Sequence, residues 1–202
     1  NVTRQENRTA HRRRQTAIPT PVFSHSPIAY FAYICKTMNK ELITNEILAL
    51  VAQEEPYLRS LPEEVITERF NEQHRSIKML MGHLIDSAGN NHQRIVRLQY
   101  APRCGHSMPN TDVGMLVFPD YTQDNNLWLD IQDYQHEDWD QIVSLWKYCN
   151  LHMVKVIEHV DESKLGNYWL DYEGNRITLR SMIETYSAHL RLHLGQIHEL
   201  AK

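Results

Sequence analysis

In four separate stretches of this chain the apolar residues recur at steps of three and four, which is the period of an amphipathic α-helix. The stretches cover residues 42–58, 77–98, 139–160 and 179–200. An amphipathic helix has to bury its apolar face, and four helices of similar length can do so around one shared core. The sequence therefore predicts an all-α protein built as a four-helix bundle.

The connection between the second and third helices is nearly forty residues long, whereas most helix–helix connections are short. Prolines and a glycine interrupt it, and a short helix is expected within residues 123–134. A crossover of this length can run along the whole bundle, so the second and third helices need not be antiparallel neighbours. Before the last helix, residues 168–177 predict a small hairpin that turns around Gly174.

The first 37 residues differ in character from the rest of the chain. They contain a cluster of arginines, three prolines and no helical period, with six basic residues against one acidic residue. From residue 38 onward, 15 basic residues stand against 24 acidic ones, so this part repels phosphate and nucleic acid is excluded as a partner. We predict a disordered or non-native tail over residues 1–37 and one bundle domain over residues 38–202.

The cysteines and the hydropathy pattern bear on the compartment. Cys35, Cys104 and Cys149 are too few and too scattered for a disulfide framework and form no CxxC motif, which favours a reducing, cytoplasmic location. No stretch approaches the roughly 20 apolar residues of a membrane-spanning helix. We therefore expect no membrane partner.

Two histidines of the last helix, His189 and His193, lie four residues apart on its apolar stripe. At this spacing the side chains leave the helix about 40° apart and one turn displaced, so both imidazoles can reach one metal ion. The alternative is two core histidines, each satisfied by its own hydrogen bond. A shared cation would use both lone pairs at once, so the pair is a candidate metal site.

A third ligand should come from another helix that faces the bundle interior. His83 is the best candidate, because it lies at the edge of the apolar stripe of the second helix. Its neighbour Gly82 has no side chain and would let another helix approach. His92 lies nine residues further, about 900° of rotation on, and thus on the opposite side of a straight helix. We expect His92 to be structural or to lie at the surface of a homodimer.

Two segments of the chain, residues 79–97 (MLMGHLIDSAGNNHQRIVR) and 177–197 (ITLRSMIETYSAHLRLHLGQI), resemble the DinB-like superfamily, also called YfiT-like metal-dependent hydrolases. Residues 118–146 resemble the same family, so the similarity spans residues 38–202. It implies a four-helix bundle with an up-down-down-up connection. It also implies one divalent metal ion, such as zinc, nickel, iron or manganese, held by His83, His189 and His193.

Three neutral imidazoles leave open positions on a divalent ion, where a bound water can become the nucleophile of a hydrolase. This favours a metal-dependent hydrolase with a small-molecule substrate. The resemblance also allows a metal-dependent transferase that uses a low-molecular-weight thiol, and a third reading is a non-catalytic metal-binding stress protein. Asp86, one turn beyond His83, is the nearest carboxylate on that face, and we expect it to act either as the base or as an acceptor that orients an imidazole N–H.

The expected pH dependence follows from a three-histidine site. A histidine binds a metal ion only when it is neutral, and its ordinary pKa is about 6.5. The sequence therefore predicts that metal affinity falls steeply below about pH 6.

Overall fold

The structure of the protein is a computed structural model that describes residues 38–100, 115–116, 118 and 125–202. The predicted tail, residues 1–37, lies outside the described residues, and so does most of the long crossover. The division of the chain into a tail and a bundle domain therefore stays a prediction.

Six α-helices and three short strands make up most of the described part of the chain. In chain order they are α1 (Lys40–Arg59), α2 (Glu63–Glu68), α3 (Ile77–Tyr100), β1 (Met115–Leu116), α4 (Asn125–Gln132), α5 (Trp139–Glu158), β2 (Tyr168–Leu170), β3 (Arg176–Thr178) and α6 (Leu179–Leu200). The four long helices, α1, α3, α5 and α6, coincide with the four predicted ones. The all-α four-helix bundle is confirmed.

Two hydrogen bonds show that α3 and α5 run parallel. The Lys78 ammonium near the start of α3 donates to the carbonyl of Glu137, just before α5, at 2.9 Å. At the other end, the N–H of Asp161 donates to the side chain of Gln99 at 2.9 Å. The long crossover between α3 and α5 thus returns the chain to the end where α3 began.

The other long helices run in the opposite direction. The indole N–H of Trp139, at the start of α5, donates to the carbonyl of Leu58 near the end of α1 at 2.9 Å. His83 in the first half of α3 lies beside His193 in the last half of α6. The order is therefore up-down-down-up, as the resemblance implied.

Side-chain caps set where two of these helices begin. The Asp138 carboxylate accepts the N–H of Gln141 at the start of α5, at 2.9 Å. The Thr178 hydroxyl accepts the N–H of Ser181 at the start of α6, at 3.0 Å. Each cap satisfies a donor that the first helical turn leaves without an intrahelical partner, which stabilises these ends by about 1 kcal/mol each.

The predicted hairpin is present, as β2 and β3, and Gly174 in its turn has a φ of +83° that suits glycine. The structure also contains β1, which pairs in parallel with β2. The sequence did not predict this strand, because two residues are too few to show an alternating pattern. The buried Trp169 of β2 lies 4.0 Å below the Arg94 guanidinium of α3, so the sheet covers the far half of that helix.

Two short helical elements also differ from expectation. The helix α2 was not predicted, since its six residues bury only Ile66 and are too few to show a period. The helix expected within residues 123–134 is present over Asn125–Gln132 and ends two residues early, where a 3₁₀ turn over Tyr134–His136 follows it. In the described part of the chain, no helix is both long and apolar enough to cross a membrane.

Candidate metal centre

Three histidine side chains from two helices meet inside the bundle. The ring centre of His83 lies 5.4 Å from that of His189 and 4.6 Å from that of His193. The His189 and His193 ring centres lie 4.6 Å apart. One ligand nitrogen of each residue lies within 4.8 Å of the other two. The structure thus brings together the three histidines chosen from the sequence, whereas the His92 ring contacts a different histidine.

These separations fit the geometry of a single ion. An imidazole nitrogen binds zinc at about 2.1 Å, which puts the ring centre about 3.2 Å from the ion. Two ligating rings then have centres about 5.2 Å apart at a tetrahedral angle and about 4.5 Å apart at a right angle. The observed separations of 4.6 to 5.4 Å match this range, so small side-chain adjustments suffice to ligate one ion.

Burial keeps all three imidazoles neutral. It lowers the pKa of His83 to about 3, with smaller contributions from His193 and His189. Burial likewise lowers the pKa of His189 to about 4, and His193 adds to the effect. For His193, burial lowers the pKa and a hydrogen bond to Gln196 opposes the change. The three imidazoles are therefore in the form that can bind a metal ion at pH 7.

Two neighbouring side chains orient the rings of α6. The Nδ1 of His193 lies 2.9 Å from the Gln196 amide oxygen, and the Nδ1 of His189 lies 3.5 Å from the Ser87 hydroxyl. When Nδ1–H is the donor in each contact, Nε2 keeps the lone pair that a metal requires. Sequence reasoning missed Gln196 and Ser87, although each follows a site histidine by three or four residues on the same helix face.

A buried cation influences the centre. The side chain of Arg75, in a residue only 6% exposed, donates twice to the Asn126 amide oxygen, at 3.0 and 2.8 Å. Its charge also lowers the pKa of His83 and His193, after the larger effect of burial. No sequence signal pointed to Arg75, because it precedes α3 and reaches the centre only through the tertiary fold.

Asp86 is buried one turn after His83 and faces the segment that contains α4. Its carboxylate accepts the Tyr134 hydroxyl and the Gln132 amide, both at 2.9 Å. Burial raises the pKa of this carboxyl, and hydrogen bonds, including one from Trp128, oppose the rise. Asp86 therefore ties the α4 segment to α3 beside the histidines.

The comparisons with known proteins bear on the family and the fold. The family model of the DinB superfamily matches residues 52–197. The chain belongs to the DinB superfamily. Its structure is similar to that of YfiT from Bacillus subtilis, with a TM-score of 0.66, 15% identity, and coverage of 82% of this chain and 89% of that chain. That protein is described as "a probable metal-dependent hydrolase with an unusual four-helix bundle topology". No curated protein matches the sequence.

Gly82 has a different role in this DinB-superfamily protein from the one expected. It admits the ring of Tyr134 rather than another helix, and a Cβ at this position would overlap the ring. The close approach places the Tyr134 hydroxyl on Asp86. Glycine is thus required at position 82 because the Tyr134 ring, in the 3₁₀ turn that follows α4, occupies the space of a Cβ.

The replacement Gly82→Ala should destabilise the protein by roughly 1–3 kcal/mol, because the new methyl group displaces the Tyr134 ring. Urea unfolding measures the loss. The matched control is Gly89→Ala in the same helix, where a Cβ meets nothing within 4 Å and should stabilise α3 by about 0.5–1 kcal/mol. Equal effects at the two positions would contradict the Tyr134 contact.

Proposed function

We propose that this DinB-superfamily protein is a metal-dependent hydrolase that binds one divalent ion through His83, His189 and His193 and cleaves a small-molecule substrate. The observation that carries the proposal is the convergence of three neutral imidazoles, two buried and one half-buried, at separations that suit one ion. Three protein ligands leave coordination positions open, which is the pattern of catalytic rather than structural sites.

A divalent ion held in this way supplies a Lewis acid that activates water at neutral pH. Residues of the chain place the three imidazoles in the state that binds such an ion. Burial keeps the three imidazoles unprotonated, and Gln196 and Ser87 contact Nδ1 of two of them, which leaves Nε2 for the ion when Nδ1–H is the donor. An all-imidazole donor set favours zinc, nickel or iron over manganese, which prefers oxygen ligands.

Asp86 is a positioning residue in this proposal. Both of its oxygens accept hydrogen bonds from the α4 segment, which holds Tyr134 beside His83. Because both oxygens already accept from the α4 segment, we assign Asp86 a positioning role, whereas a role as general base would use a remaining lone pair. The variant Asp86→Asn should therefore retain its metal and lose only part of kcat. A fall in kcat of about 100-fold or more, at unchanged metal content and KM, would assign the base role instead.

The test of the proposed function uses the full chain loaded with one equivalent of zinc, nickel or iron(II). It is assayed against esters, amides and pairs of a low-molecular-weight thiol with an electrophile. We expect hydrolysis that chelation abolishes and added metal restores. Thiol transfer without hydrolysis would overturn the proposal in favour of a transferase. Chelation that lowers only the melting temperature, with no turnover of any compound, would favour a non-catalytic metal protein.

The proposed setting is the cytoplasm, with a homodimer as the assembly. The free thiol of Cys149 supports the compartment, and the homodimer extends the expectation that His92 lies at a dimer surface. Analytical ultracentrifugation of the metal-loaded protein tests the assembly directly.

A further inference from the structure

A second pair of histidines lies where α3 and α5 pack against each other. The ring centres of His92 and His152 are 5.1 Å apart, with their planes at 61°. His92 is half-buried and His152 is exposed, so water and ions can reach the pair. Within the described part of the chain, neither imidazole makes a hydrogen bond to another residue.

The two ring centres have the spacing of two imidazoles bound to one tetrahedral ion. Two imidazoles on one tetrahedral ion have ring centres about 5.2 Å apart, and the observed 5.1 Å needs little adjustment. The rings come from two packed parallel helices, so the backbone positions from which they extend are fixed before an ion arrives. Burial and the neighbouring His152 lower the pKa of His92, which favours its neutral, ligating form at pH 7.

We propose that His92 and His152 form a second, weaker metal site that binds a transition-metal dication, with water in the remaining positions. Imidazole suits copper, nickel and zinc, and the general order of stability gives copper(II) the highest affinity. The site is separate from the three-histidine centre, because His92 lies nine residues after His83, about 13 Å along α3. The inference therefore stands whether or not the protein is a hydrolase.

The experiment titrates zinc into the full-length protein whose three-histidine centre is already filled with zinc, and follows binding by calorimetry. We expect one further equivalent, and His92→Ala and His152→Ala should each weaken it by at least about tenfold. His159→Ala is the matched control, since this exposed histidine lies just after α5 and its ring contacts the carbonyl of Lys155 in that helix. The control should bind like the unmodified chain.

A second measurement does not depend on substitutions. Substoichiometric copper(II), added to the same zinc-filled protein, should broaden the imidazole proton resonances of His92 and His152 before those of His159. Absence of a further zinc equivalent, or one that survives both alanine variants, would overturn the proposal. Equal broadening of all exposed histidines would also overturn it, because it would indicate non-specific surface binding.

Discussion

Replacing His189 or His193 by alanine is expected to reduce the metal content of dialysed protein from about one ion per chain to near zero. Two remaining imidazoles hold an ion far more weakly than three, because each ligand lost leaves a position that only water can fill. The substitution also removes a ring whose centre lies 4.6 Å from that of the other α6 histidine. Elemental analysis after dialysis measures the metal, and activity should fall to that of the metal-free protein.

The matched control for this result is His92→Ala, another histidine replacement in a long helix. It should leave the tightly bound ion in place, because His92 lies outside the three-histidine centre. Circular dichroism separates loss of metal from loss of fold. Full metal content in the variant that lacks both His189 and His193 would show that the ion binds elsewhere in the protein.

The metal-free protein should lose stability as the pH falls from 7 to 5. An unfolded histidine takes up a proton near pH 6.5, whereas burial holds the pKa of His83 at about 3 and that of His189 at about 4. The unfolded state therefore binds more protons over this range, and stability falls with the pH. The two residues together should cost roughly 3 to 4 kcal/mol between pH 7 and pH 5.

Urea unfolding in the presence of a chelator measures this dependence. The variant His83→Ala/His189→Ala should show a clearly shallower slope, since it lacks both groups. A slope equal to that of the unmodified chain would contradict the lowered pKa values.

Metal affinity should follow a different pH dependence from the one that the sequence predicts. Ordinary histidines would lose metal steeply below about pH 6, but protons compete with the metal in the folded protein only near the lowered pKa values. We therefore expect affinity to fall less steeply between pH 7 and pH 5 than three ordinary histidines would give. Burial, which the sequence does not report quantitatively, is the reason for the difference.

The sequence by itself determined the features that depend on neighbours along the chain. The bundle follows from an apolar period in four stretches, because each helix had one face that must be buried. The hairpin follows from Gly174, whose positive φ is available to glycine without strain. The approach of His189 to His193 follows from helical geometry alone, since residues four apart lie on one face. Such features need no knowledge of the partner that each face will meet.

Only the tertiary structure decided the contacts between distant segments. The packing of α3 against α6 sets the ring-centre distances from His83 to the α6 pair, 5.4 Å to His189 and 4.6 Å to His193. The reason for Gly82 is the ring of Tyr134, more than fifty residues later in the chain. The charge of Arg75 acts on two ligands from outside their helices. The apolar period of a helix predicts which of its faces is buried. The side chains that meet at that face depend on how all the helices pack together. This packing sets the distances and the electrostatics of the three-histidine centre.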